Sequence, residues 1–102
     1  MSDNFFRELN IPTPDINFNI QNTSAHTFIG KAAESLYNYF VNEKDAVVLT
    51  YGDTNTTLAA AMASKRCDLP LIHFEAGVRA YDNSMPEETN RILTDRLADV
   101  NY

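Results

Sequence analysis

Ala46-Val47-Val48-Leu49-Thr50-Tyr51-Gly52-Asp53-Thr54-Asn55-Thr56-Thr57-Leu58-Ala59-Ala60-Ala61-Met62-Ala63 decides the fold of this chain. Ala46–Leu49 has no polar residue at any position, the pattern of a strand buried on both faces in the middle of a parallel sheet covered by helices. Leu58–Ala63 is built from strong helix formers. Gly52 lies between the two runs and permits the positive φ that a sharp strand-to-helix turn uses. The stretch therefore reads as strand, turn and helix. In open α/β sheets, ligands bind in the crevice outside the carboxyl ends of the strands. Asp53, one residue past the glycine, is placed on that rim.

Downstream, the helix is expected over Asn55–Arg66 and is ended by Asp68-Leu69-Pro70. Leu71-Ile72-His73-Phe74-Glu75 reads as a second strand, followed by Ala76-Gly77. The two strand starts, at 46 and 71, leave room for one right-handed crossover helix, so the unit is βαβ. After a loop over 78–83, Ser84-Met85-Pro86-Glu87 reads as a capping box with proline in the first helical turn. Thr89, Ile92, Leu93, Arg96, Leu97 and Val100 then keep helical spacing, and Asp99–Tyr102 reads as a strand beginning.

Upstream, Gln21-Asn22-Thr23-Ser24 forms a polar turn before a long run with Phe28, Ile29, Ala32, Ala33, Leu36, Tyr37, Phe40 and Val41 on one face. That spacing predicts an amphipathic helix from Ala25 to about Asn42. Ile16, Phe18 and Ile20 alternate with asparagines as a short half-buried strand. Ile11-Pro12-Thr13-Pro14 breaks whatever helix ends over Phe5–Leu9. The adjacent Phe5 and Phe6 and the strand starting near Tyr102 lead to the expectation that this is part of a larger α/β protein.

Composition narrows the function. The chain has 102 residues, the size of one small domain, with 14 acidic against 8 basic residues and a net charge of −6. That balance argues against a nucleic-acid partner, which calls for a clustered basic face. Cys67 is the single cysteine, which excludes an intrachain disulfide and a cysteine-rich metal site. The amino-terminal residues lack the pattern of a signal peptide, and no apolar run approaches the roughly 20 residues of a membrane span. The expected setting is cytoplasmic, with no membrane partner.

Several residues can carry chemistry. Asp53 either meets a ligand or caps the helix that follows it. His73 and Glu75, two apart on one strand, are expected to share a face. His-x-Glu also opens the zinc deaminase signature, but the Pro-Cys-x-x-Cys half is missing; His73 reads more readily as a core histidine bonded to a main-chain carbonyl. Asp53 and Glu75 at the ends of neighbouring strands would lie within reach of one substrate, and like charges at such spacing separate an acid from a base. Glu87 stands at a helix start, where the macrodipole favours its ionised form. Gly52 and Gly77 allow a ligand close to the backbone, and Arg79 and Arg91 are the candidate anion partners. No dinucleotide or P-loop motif is present.

Three segments taken together resemble a known family. They are Tyr51-Gly52-Asp53-Thr54-Asn55-Thr56-Thr57-Leu58-Ala59, His73-Phe74-Glu75-Ala76-Gly77-Val78-Arg79 and Met85-Pro86-Glu87-Glu88-Thr89-Asn90-Arg91. In this order and separation they resemble the non-hydrolysing UDP-N-acetylglucosamine 2-epimerases, and the opening Phe5–Asp15 is similar too. The resemblance implies an internal piece, residues 1–102, of the amino-terminal Rossmann-like domain in a two-domain glycosyltransferase-B fold. It lacks the first strand and the second domain, which in the family holds most of the uridine diphosphate.

The implied chemistry inverts C2 of the sugar. The C2 proton leaves as uridine diphosphate departs from C1, giving a glycal; the diphosphate then re-adds with protonation on the opposite face. Asp53, Glu75 and Glu87 match the family's catalytic acids. Gly52, Thr54, His73, Gly77, Arg79 and Arg91 fall at its substrate-binding motifs. No cofactor and no metal are implied. The implied partners are a UDP-sugar and either a second copy or a companion carboxyl-terminal domain, in cell-surface polysaccharide synthesis. Two other readings compete: a non-catalytic assembly half, and a metal-dependent hydrolase using Asp53, His73 and Glu75.

Overall fold

The computed structural model describes residues 16, 18, 20, 24–79 and 84–102. Its elements run α1 (Ala25–Phe40), β1 (Val48–Tyr51), α2 (Asn55–Arg66), β2 (Leu71–Phe74), α3 (Pro86–Leu97) and β3 (Val100–Asn101). The three strands form one parallel sheet in the order β1-β2-β3. Register pairs Val48 with Leu71, Thr50 with His73, and His73 with Asn101. This is the expected α/β arrangement with flanking helices. The segments expected over Phe5–Leu9 and Ile11–Pro14 lie outside the described residues. So does part of the strand expected over 16–20; of its described members Ile16 and Phe18 are exposed and Ile20 is half-buried, and none belongs to a strand of the sheet.

One expectation is corrected. The strand runs Val48–Tyr51 rather than Ala46–Leu49, and only one of its faces is covered: Thr50 is 6% exposed and Leu49 56%. The reason is topological. Strands added in one direction through right-handed crossovers place successive helices on the same side of the sheet. Val48, Thr50, Leu71 and His73 face α2 and α3, whereas Leu49, Tyr51 and Phe74 lie on the other face. There Tyr51 stacks on Phe74 with ring centroids 4.7 Å apart, and Phe74 on Tyr102 at 5.4 Å.

The core gathers Val48, Ala61, Leu69 and Leu71, with Phe40, Leu97 and Ala98 at its margin. Alanines at 59, 61 and 63 are buried, and their short side chains let α2 lie close to the sheet. Its carboxyl end is a Schellman turn. Leu69 N donates to Ser64 O (2.9 Å) and Asp68 N to Lys65 O (3.1 Å), with Asp68 at φ 60°. α1 packs on α2. At the far edge Asp99 accepts from Leu71 N (2.8 Å) and pairs with Lys65, tying the start of β3 to the start of β2.

Candidate active site at the carboxyl edge of the sheet

β1 and β2 each end in a turn that carries one acid. Gly52 closes β1 at φ 73°, and its N–H donates to Phe74 O at 3.1 Å. Asp53 follows, but it is not the helix cap. Thr54 is: its hydroxyl accepts from Thr57 N at 3.2 Å. Thr57 Oγ1 donates to Tyr51 O at 2.7 Å, so its own proton is used and Thr54 is the donor across their 3.0 Å contact. Thr54 thus holds the turn with its hydroxyl while lining the cleft beside Asp53.

The Asp53 carboxylate is left to face α3, where it forms an ion pair with Arg91. Asn90 Nδ2 donates to both Asp53 O and Asn55 Oδ1 at 3.0 Å. Two neighbouring residues of α3 therefore fix one acid by its carboxylate and its carbonyl.

Glu75 departs from the expected geometry. β2 ends at Phe74, and Glu75 takes φ 66°, so the alternation that would have put it on the face of His73 has already stopped. His73 is fully buried, while Glu75 is exposed. The Glu75 carboxylate instead comes back over the neighbouring turn: a Cβ placed on Gly52 would lie 3.1 Å from Glu75 Oε2. The glycine is what lets this acid approach the turn that bears Asp53.

Glu87 stands in the first turn of α3, exposed. The N-cap there is Met85 without a side-chain cap bond, so the expected capping box headed by Ser84 is not how the helix starts. Glu87 lines a cleft of about 320 Å³ together with Ala25, Asp53, Thr54, Asn55, Pro86 and Asn90. The amino-terminal turns of all three helices border this cleft. Neither Glu75 nor Glu87 has a hydrogen-bond or ion-pair partner among the described residues, which leaves both carboxylates available to a ligand.

The remaining expected binding residues are placed differently. His73 does not reach the cleft: Nε2 donates to Gly52 O at 2.7 Å, and Nδ1 meets Asp95 Oδ1 at 2.6 Å. It is the core histidine on a main-chain carbonyl, lying beneath the site. Arg79 pairs with Asp95 at 2.8 Å, and Arg91 with Asp53, so both expected anion partners are engaged internally. Gly77, at φ 79°, donates its N–H to Asp95 Oδ2 at 3.0 Å. Among the described residues no group of three His, Cys, Asp or Glu side chains is arranged to hold a metal ion.

Asp95 and Asn90 carry much of this architecture, and neither stood out as a functional residue in the sequence. A signal was present. Glu88, Asn90 and Thr94 of α3 are buried polar residues, and with Arg91 and Asp95 they form a polar stripe at steps of three and four. Burial works against charge on Asp95, but the Gly77 N–H, Arg79 and His73 together hold its carboxyl below the usual aspartate value.

Residues 1–102 match the family model described as UDP-N-acetylglucosamine 2-epimerase. The chain is 43% identical over 96 residues to a UDP-N-acetylglucosamine 2-epimerase homolog of Methanococcus maripaludis, covering 94% of this chain and 27% of that protein. It is 42% identical over 100 residues to the UDP-2,3-diacetamido-2,3-dideoxy-D-glucuronate 2-epimerase of Pseudomonas aeruginosa, covering 98% of this chain and 28% of that one. The solved UDP-GlcNAc 2-epimerase of Methanocaldococcus jannaschii superposes with a TM-score of 0.90 at 39% identity, over 98% of this chain and 28% of that chain. The chain thus spans little more than a quarter of the length of these relatives. With a family match along its full length, the chain belongs to the UDP-N-acetylglucosamine 2-epimerase family.

Proposed function

We propose that this chain supplies the proton-transfer carboxylates of a UDP-sugar 2-epimerase that interconverts UDP-N-acetylglucosamine and UDP-N-acetylmannosamine. The observation that carries the reading is the gathering of acids at one sheet edge: Asp53 and Glu87 line one cleft, and Glu75 lies over the adjoining Gly52. Epimerisation at C2 removes a proton from one face of the sugar and returns one to the other, which needs proton acceptors and donors on both sides. As the C2–H bond breaks, its electrons form the C1–C2 double bond and the C1–O bond leaves with uridine diphosphate. Re-addition reverses these steps with the proton delivered to the opposite face. Glu75 and Glu87, without a partner among the described residues, are the acids suited to move protons, and Asp53, tied to Arg91, is the fixed charge beside them.

The diphosphate is held by polypeptide beyond these residues, because Arg79 and Arg91 are both committed to internal carboxylates. The 102-residue chain alone is therefore expected to give no exchange at C2. The test is a chimera in which this chain replaces the matching quarter of the Methanocaldococcus jannaschii enzyme. Proton NMR in deuterium oxide follows the C2 position of UDP-N-acetylglucosamine. Exchange with appearance of the manno epimer, abolished by Glu75→Gln, supports the reading. A folded chimera with no exchange overturns it. The same assay with UDP-2,3-diacetamido-2,3-dideoxy-D-glucuronate distinguishes the substrate of the Pseudomonas aeruginosa relative.

A second reading, a non-catalytic half that pairs with a companion polypeptide or a second copy, is favoured by the uncovered sheet face with Leu49, Tyr51 and Tyr102 exposed. Sedimentation of the chain as a stable monomer would count against it. We infer a cytoplasmic setting, in keeping with the family reading; no described helix is long and apolar enough to cross a membrane.

A further inference from the structure

Asp95 belongs to none of the acid-bearing turns, yet its carboxylate is bonded toward two of them. Oδ1 lies 2.6 Å from His73 Nδ1, and Oδ2 accepts from Gly77 N at 3.0 Å and from Arg79 NH1 at 2.8 Å. His73 passes the connection on, since its Nε2 donates to the Gly52 carbonyl at 2.7 Å. A chain of bonds therefore runs from the turn bearing Asp53, through a buried imidazole and one carboxylate, to the turn bearing Glu75. Asn101 Nδ2 donates to the Asp95 carbonyl at 3.0 Å, fixing the residue from β3 as well.

We propose that Asp95 is a positioning residue that sets the Gly52–Asp53 turn and the Glu75–Gly77 turn relative to one another, acting through His73, Gly77 and Arg79. The inference rests on the epimerase reading for its consequence in catalysis, but not for its structural content. The carbonyl of Gly52 can only accept, so the His73 proton on Nε2 is committed there. At 2.6 Å the Asp95 carboxylate holds Nδ1 as the Gly52 carbonyl holds Nε2. An imidazole bonded at both nitrogens is locked in orientation, and so is the carbonyl it holds. Both turns have positive φ at Gly52, Glu75 and Gly77, conformations that persist where surrounding bonds impose them. The Asp95 bonds are in the position to impose them.

The variant is Asp95→Asn, which keeps the size of the side chain but replaces one acceptor oxygen by an NH2 that faces donors. The matched control is Asp99→Asn. Asp99 also receives a main-chain N–H and a cation, from Leu71 and Lys65, but at the opposite edge of the sheet. In both 102-residue variants, folded by circular dichroism, NMR follows the amides of residues 52–53 and 75–77, the Glu75 carboxyl carbon and the His73 ring nitrogens. Asp95→Asn is expected to move all three sets, whereas Asp99→Asn leaves them in place. In the active chimera, Asp95→Asn is expected to lower the C2 exchange rate about tenfold or more with little change in KM.

Unchanged Glu75 and Gly52 signals in folded Asp95→Asn, or equal changes in Asp99→Asn, overturn the proposal. If Asp95→Asn does not fold, Arg79→Gln removes one of the three donors and must still shift Gly77 and Glu75, failing which the proposal falls. A chimera without exchange defeats the epimerase reading alone, because the NMR comparison needs no substrate.

Discussion

Gly52 and Gly77 offer a paired test of how the site is assembled. Both have left-handed backbones, at φ 73° and 79°, so alanine at either incurs similar backbone strain. That strain is about 1–2 kcal/mol for an L-residue in this region. A domain of this size loses about 4–8 °C in melting temperature per kcal/mol, so both variants should melt several degrees lower by a similar amount. Their surroundings differ. A Cβ at Gly77 meets nothing within 4 Å, whereas at Gly52 it comes to 3.1 Å from Glu75 Oε2. The carboxylate is the far end of a flexible side chain and yields by a few tenths of an ångström. Misplacement of about 1 Å can cost a hundredfold in rate, so a shift of a few tenths corresponds to roughly fourfold. Gly52→Ala should therefore move the Glu75 carboxyl carbon signal and slow C2 exchange in the chimera roughly fourfold beyond Gly77→Ala. Thermal melts measure the shared strain, and carbon NMR the separate displacement. If Gly77→Ala disturbs Glu75 as much as Gly52→Ala, the close approach of Glu75 to Gly52 is not what shapes this acid's position.

Two further outcomes follow from backbone and charge. Glu75 and Asp68 are the described non-glycine residues at positive φ, 66° and 60°, and aspartate tolerates that region better than glutamate. Glu75→Gly should raise the unfolding free energy by about 0.5–1 kcal/mol while abolishing exchange in the chimera, and Asp68→Gly should gain less; a loss of stability in Glu75→Gly by denaturant titration would contradict the strain assigned to that turn. Asp95 and Asp99 both have carboxyls held below their ordinary value of 3.8, Asp95 against burial by Gly77, Arg79 and His73, Asp99 chiefly by Lys65 and the Leu71 N–H. A lowered folded value means that the stabilisation is complete above the unfolded value and is lost as pH falls through the folded one. The stability gap between the unmodified chain and Asp99→Asn should thus be constant near neutrality and close below about pH 4 in acid titrations followed by circular dichroism; a gap that widens on acidification would show that Lys65 is not the partner that matters.

The helices were legible because their signals are local. The one-sided spacing of α1 and the alanine run of α2 fix their own boundaries, and the observed ends, Phe40 and Arg66, lie close to the expected ones. The places of Asp53 and Glu87 in the fold were legible for a related reason: one follows a strand and the other starts a helix, and such positions are marked by neighbouring glycine or proline. What failed was inference about faces. An apolar run such as Ala46–Leu49 states that burial is available, but the direction in which strands are added decides which face the helices cover, and that is a property of the whole sheet. The alternation rule failed at Glu75 for a backbone reason. It holds only while the chain stays extended, and the change of sign in φ at residue 75 ends it one residue early.

Asp95 illustrates a different limit. A charged residue late in a helix ordinarily reads as a solvated side chain, and nothing in its immediate neighbours contradicts that. Its role depends on His73 and Gly77, which lie 22 and 18 residues earlier in the chain. Only when β2 and α3 are packed together does the carboxylate meet them. The same packing explains why His73 is histidine at a position whose strand neighbours are apolar. It lies between a carbonyl at the end of β1 and a carboxylate on α3, and an apolar side chain there would leave the buried Gly52 carbonyl without the His73 donor and Asp95 Oδ1 without its histidine partner. The acids that face the cleft and the polar residues beneath it are thus one arrangement. Among the described residues Glu75 and Glu87 have no partner, whereas Arg79, Arg91 and His73 bond Asp95, Asp53 and the Gly52 carbonyl.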